Sequence, residues 1–126
     1  TSGVINRGCR VLIVEDVLAN QMVTSKLLEH IGCKPEIAEN GETAVNKVND
    51  NSNQYDIILM DLQMPVMDGF EASHIIRQSH PDLPIIALTA ATHQEANENY
   101  QKSGINDVLY KPFTMKELIE KINRWG

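Results

Sequence analysis

A chain of 126 residues is one domain by length and can bury roughly two thirds of its unfolded surface. The composition, 42% hydrophobic and 22% charged, is that of a globular protein. A net charge of −6, with 11 basic residues scattered along the chain, argues against a nucleic-acid surface, which needs Lys and Arg massed against phosphates.

No apolar run approaches the ~20 residues of a membrane span, and no signal peptide is visible. Cys9 and Cys33 make neither a disulfide framework nor a zinc site. Both read as reduced thiols in a cytosolic compartment, Cys33 semi-buried. Thr1 to Gly8 (TSGVINRG) reads as a linker or tag remnant, leaving 9–126 as the domain.

Val11-Leu12-Ile13-Val14 is β-branched and without alternation, the pattern of a strand buried on both faces. From about Val17 to Ile31, Ala19, Val23, Leu27 and Ile31 recur every four positions and predict a helix stopped by Gly32. Glu15-Asp16 could cap its start, since Asp is favoured there. A weak strand follows at Pro35 to Ala38, then Asn40-Gly41 and a helix carrying Ala44, Val45 and Val48. Ile57 to Met60 is the third strand, and Phe70 to about Gln78 the third helix, with Ala72, Ile75 and Ile76 inward. Pro84 to Leu88 is the fourth strand. Residues 93–102 (HQEANENYQK) predict a helix with few apolar anchors. Val108-Leu109-Tyr110 is the fifth strand, and Met115, Leu118, Ile119, Ile122 and Trp125 line the last helix.

Strands alternating with helices at this spacing imply parallel β-α-β units with helices on both faces. In such sheets ligands bind beyond the carboxyl ends of the strands. The first run ends in Glu15-Asp16, the third in Asp61, the fourth in Thr89 and the fifth in Lys111. Four of five strands thus send a chemically useful side chain to one rim. Three carboxylates there repel one another unless a cation sits among them. Hard oxygen ligands in that number suit Mg²⁺. A lysine and a threonine hydroxyl supply the charge and the donor that an incoming phosphoryl group requires. A carboxylate is a competent nucleophile for an acyl phosphate, so the rim reads as Mg²⁺-assisted phosphoryl transfer onto an aspartate. His30, His74, His80 and His93 have no metal-like spacing and are expected at the surface.

Val14-Glu15-Asp16, Met60-Asp61 with Met64-Pro65 and Asp68-Gly69, Leu88-Thr89-Ala90 and Lys111-Pro112-Phe113 occur in that order, each at or just after a predicted strand end. With them the chain resembles the receiver domain of two-component response regulators, from about Cys9 to Trp125. The resemblance implies a flavodoxin-like (βα)5 fold, a five-stranded parallel sheet in the order 2-1-3-4-5 with five helices on its two faces. It implies Asp61 as phosphoacceptor, with Asp16, Asp61 and the Gln63 backbone carbonyl as direct Mg²⁺ ligands and Mn²⁺ as a substitute. Glu15 would act through a metal-bound water, and Thr89 and Lys111 would bind the phosphoryl oxygens. The peptide bond before Pro112 is cis in the family.

"VEDVLANQMV" and "MDLQMPVMDGFEA" most resemble receivers of hybrid sensor histidine kinases. The fragment is therefore expected to come from such a kinase, with a kinase histidine or a histidine phosphotransfer domain as partner. The resemblance implies a cytoplasmic monomer or weak dimer without nucleic-acid or membrane contact of its own, although the parent chain could be membrane-anchored. Slow self-dephosphorylation, rather than turnover, is the expected chemistry.

A stand-alone response regulator is one alternative. An aspartyl-nucleophile Mg²⁺-dependent phosphohydrolase is another, but it commonly has a general acid two residues after the nucleophile, where this chain has Gln63. A receiver that is never phosphorylated is disfavoured, because every rim residue is present. One departure from the family stands out: Val108 occupies a position where many receivers carry Tyr or Phe, and Tyr110 is the nearest aromatic.

Overall fold

A computed structural model describes residues 8–50, 54–62, 69–89, 104–111 and 113–126. Five strands, β1 (Arg10–Val14), β2 (Lys34–Ala38), β3 (Ile57–Asp61), β4 (Ile85–Thr89) and β5 (Asp107–Tyr110), pair in parallel in the order β2-β1-β3-β4-β5. Four helices are described: α1 (Leu18–His30), α2 (Gly41–Asn49), α3 (Gly69–Ser79) and α4 (Met115–Trp125). The helix expected at 93–102 lies outside the described residues. So do residues 1–7, Gln63, Met64, Pro65, Asp68, Ala90, Ala91, His93 and Pro112. Gly8, assigned to the linker, donates its N–H to the Gly32 carbonyl at 2.8 Å.

The absence of alternation in the strand runs now has its cause. Leu12, Ile58 and Ile85 pack on one side of the sheet with Ala44 of α2 and Ile76 of α3. Ile13, Leu59 and Ile86 pack on the other with Leu28 of α1 and Leu118 of α4. Both sides of each central strand are buried, so both parities must be apolar. Cys33 is buried rather than semi-buried, at 5% exposure, and Cys9 is fully buried. Both thiols are free, and a hydrogen bond to Cys33 together with burial pushes the Cys9 thiol up. His30 and His74 are exposed, and His80 is half-buried with Nε2 3.2 Å from Asn49 Oδ1.

α1 departs from expectation. Ala19 is exposed, Val23 is 60% exposed and Leu27 is half-buried. The inward residues are Gln21, Thr24, Leu28 and the C-cap Ile31. A residue every fourth position drifts about 40° per step around a helix of 3.6 residues per turn, so an unbroken run of fours leaves its face. Spacings of three, four and three stay on it. The expected cap differs too. The N-cap is Val17, without a side-chain cap bond, and Glu15, not Asp16, accepts the Val17 N–H, at 3.2 Å.

Two ties hold the strands that carry the rim. At the base, the Arg77 guanidinium donates to the carbonyls of Gly104 (2.7 and 3.0 Å), His80 (3.0 Å) and Pro81 (2.7 Å) and to Asn106 Oδ1 (2.7 Å). Asn106 Oδ1 in turn accepts the Ile85 N–H at 2.9 Å, linking α3 to the starts of β4 and β5. A Cβ on Gly104, whose φ is +81°, would stand 2.7 Å from Arg77 Cγ, so this approach requires glycine. On the other side, Asp107 Oδ2 accepts from Lys121 Nζ and Trp125 Nε1, each at 2.9 Å, and fastens α4 to β5.

Arg77→Ala should lower stability by about 2–3 kcal/mol, because it strands carbonyl acceptors that a charged donor now satisfies; urea denaturation measures it. Burial opposes the charge of Asp107, but the bonds from Trp125, Lys121 and the Val108 N–H outweigh it and hold the carboxyl below its usual value. A folded pKa below the unfolded one gives stability that is present above the unfolded value of about 3.9 and lost as pH falls through the folded value. Asp107→Asn should therefore lower the melting temperature near neutral pH and make its decline below about pH 4 shallower than in wild type, a comparison for melts across the acid range.

Candidate functional site

The register of the sheet assembles the rim. Val14 of β1 stands beside Met60 of β3, so the next residues, Glu15 and Asp61, arrive side by side. The Glu15 N–H donates to the Ala38 carbonyl at 3.1 Å, extending the β1–β2 ladder one residue past β1. Asp61 is the last residue of β3 rather than the first of a loop. The Lys111 N–H donates to the Thr89 carbonyl at 2.8 Å, which carries the β4–β5 ladder out to Lys111.

Glu15 and Asp61 are 2% and 6% exposed, whereas Asp16 is exposed. Each offers an oxygen to a cluster in which these atoms lie within 4.8 Å of one another. Lys111 Nζ stands 3.3 Å from Glu15 Oε1 and 3.9 Å from Asp61 Oδ2. A near-sealed carboxylate needs such a partner, since burying it unpaired costs several kcal/mol. Thr89 ends β4, next to β3, and is 3% exposed. Gln63 lies outside the described residues, so four of the six expected residues are seen together, with Thr89 on the neighbouring strand.

Three oxygens this close, with an exposed carboxylate open to solvent, fit a hard divalent cation that keeps part of its water shell. Bound there, it would supply positive charge and orient an anionic substrate.

One residue of this site was not legible from the sequence reading. Gln21, 7% exposed, donates from Nε2 to the Glu15 carbonyl at 2.7 Å. The available signal was its place in the three-four-three spacing of α1, where an amide stands among inward positions.

Residues 11–123 match the family model described as the response regulator receiver domain. The chain belongs to that family. It is 39% identical over 115 residues to the transcription factor SKN7 of Chaetomium thermophilum, covering 91% of this chain but only 15% of that protein. Sensor and hybrid histidine kinases stand among its curated relatives as well. A receiver domain of the Pseudomonas aeruginosa sensor histidine kinase PA1611, solved with a magnesium ion in its active-site cleft, superposes with a TM-score of 0.86 at 39% identity, covering 94% of this chain and 97% of that one. A chain in the co-crystal of the Saccharomyces cerevisiae histidine phosphotransfer protein Ypd1 with the Ssk1 receiver superposes with a TM-score of 0.84 at 34% identity, covering 95% and 90%. This receiver therefore shares its fold, order 2-1-3-4-5, with receivers of two-component systems.

Lys111 offsets the carboxylates that a cation would also occupy, so Lys111→Met should have two opposite effects. The metal-free melting temperature should fall, while the affinity for Mg²⁺ should rise about three- to tenfold, the equivalent of roughly 1 kcal/mol of relieved repulsion. Thermal melts in EDTA and calorimetric titration read the two separately.

Proposed function

We propose that this receiver accepts a phosphoryl group from a phosphohistidine onto Asp61, with Mg²⁺ bound by Asp16, Asp61 and the Gln63 carbonyl and with Glu15 acting through a metal-bound water. The observation that carries the reading is the cluster itself: three carboxylate oxygens within 4.8 Å, with Lys111 at 3.3 and 3.9 Å from two of them. When bound, the cation supplies charge neutralisation at the approaching phosphoryl group, and Mn²⁺ serves in its place.

In this reading an Asp61 oxygen attacks phosphorus. The O–P bond forms as the N–P bond to the donor histidine breaks, and the nitrogen takes up the electron pair and a proton. Lys111 pairs with a phosphoryl oxygen, leaving its two carboxylates, and the Thr89 hydroxyl donates to another. Hydrolysis of the acyl phosphate returns the domain to its starting state slowly, so the chain is a switch rather than a turnover enzyme.

The partner is a histidine-bearing domain of a sensor kinase or a phosphotransfer protein. Support comes from the exposed apolar start of α1, where Val17, Leu18, Met22 and Val23 are 46 to 68% exposed directly beside the rim. The Ypd1 co-crystal contains such a pairing for a similar receiver. Residues 9–126 form the receiver and 1–8 the linker. The proposed parent is a hybrid sensor histidine kinase, on the likeness to the PA1611 receiver. Attachment to a transcription factor, as in SKN7, is the second reading, at the same 39% identity. A histidine-kinase core in the same reading frame decides between them. The domain works in the cytoplasm, and among the described residues no helix is long and apolar enough to cross a membrane.

Acetyl phosphate with Mg²⁺ should add one phosphate per chain by intact mass, and both EDTA and Asp61→Asn should abolish it. Peptide mapping that places the phosphate on a serine or histidine would sink the assignment.

A further inference from the structure

Gln21 is an amide at an inward position of α1, in line with Thr24 and Leu28. A buried amide is costly unless it is hydrogen-bonded, and an apolar residue of the same size carries no such cost. Its Nε2 reaches back six residues to the Glu15 carbonyl at 2.7 Å. That carbonyl belongs to the peptide joining Glu15 to Asp16, the two acids that β1 delivers to the rim.

Glu15 is fixed from several sides. Its N–H is held by the Ala38 carbonyl at 3.1 Å, and its carboxylate meets the Val17 N–H at 3.2 Å and Lys111 Nζ at 3.3 Å. Asp16 is exposed and has no partner among the described residues. Its Cα is attached to the peptide whose carbonyl Gln21 holds, so the orientation of that peptide sets where the Asp16 side chain starts. The Glu15 carboxylate closes the turn by accepting the Val17 N–H, and Gln21 adds a second hold on it at the Glu15 carbonyl.

We infer that Gln21 is a positioning residue of the cation site: its amide orients the Glu15–Asp16 peptide and so aims the Asp16 carboxylate. The inference rests on the reading of the three-carboxylate cluster as a divalent-cation site. It makes a distinction that a general packing role does not. Mg²⁺ demands near-ideal octahedral geometry at short range, whereas Ca²⁺ accepts irregular shells at longer range. A mis-aimed ligand should penalise Mg²⁺ far more than Ca²⁺.

Gln21→Met keeps the length of the side chain and removes the donor. Calorimetric titration of the 126-residue chain with Mg²⁺ and, separately, Ca²⁺ should show the Mg²⁺ dissociation constant raised about tenfold, the low end of the effect of losing a group that orients a metal ligand. The Ca²⁺ constant should rise less than about threefold, because its shell tolerates the tilt. Melts in EDTA report folding independently. Gln21→Asn, which keeps an amide one methylene too short to reach, gives the same reading should the methionine variant fail to fold. Unchanged Mg²⁺ affinity, or equal loss for both ions alongside a lowered melting temperature, overturns the positioning role. Wild-type chain that binds neither ion overturns the cation-site reading itself, and this inference with it.

Discussion

Glu15 and Asp61 are nearly sealed from water, yet with Asp16 they bring three carboxylate oxygens within 4.8 Å of one another. Two unit charges at that separation repel by roughly 3–4 kcal/mol at an effective dielectric constant of 20, a large share of the 5–15 kcal/mol that typically holds a domain folded. Lys111 is the one cation described among them, and its position between Glu15 and Asp61 makes the metal-free fold tolerable. A divalent ion and an ammonium then compete for the same oxygens. In the proposed reaction, an arriving phosphoryl group would end the competition by giving the ammonium a new anion. The rim is built to be unsatisfied by any one occupant.

The rest of the molecule keeps those charges where they are. Parallel pairing sets every strand's carboxyl end at the same edge, and the register beside β1 brings Glu15 to Asp61 without any contribution from the loops. The ties at the opposite end serve the same purpose. Arg77 joins α3 to the residues just before β4 and β5. Asp107 joins β5 to α4, and four residues further on that strand delivers Lys111. Slippage of β5 by a single residue would send Lys111 to the other face of the sheet.

Most of the sheet was legible because strands buried on both faces read as unbroken apolar runs, and a run ending in a charge marks the rim. The strand ends were underestimated by one residue at Asp61 and Thr89, because hydropathy stops at the charge whereas the hydrogen-bond ladder does not. α1 was misread for a different reason. Its apolar residues coincide only in part with its buried ones: Leu28 faces inward, but so do Gln21 and Thr24, while Leu18 and Val23 face solvent. The three-four-three spacing marks the inward face, but hydropathy does not, because the polar choice at Gln21 answers a carbonyl six residues away. Glu15-Asp16 read as a cap pair; the N-cap position falls on Val17, and of the two acids it is Glu15 that accepts the Val17 N–H.

The reversed face of α1 has an energetic meaning. Val17, Leu18, Met22 and Val23, each about half exposed or more, forgo roughly 1 kcal/mol apiece relative to full burial. Four large apolar side chains left exposed within seven residues are the kind of feature that can mark an interaction surface. The stretch begins directly after Asp16, and the same helix holds the Glu15 carbonyl through Gln21. A histidine-bearing domain seated on this face would thus press on an element hydrogen-bonded to the acid-bearing turn. In the proposed reading, docking and phosphoryl chemistry would meet in this one helix, whose outer side leaves Leu18, Met22 and Val23 exposed and whose inner side carries Gln21 to the Glu15 carbonyl.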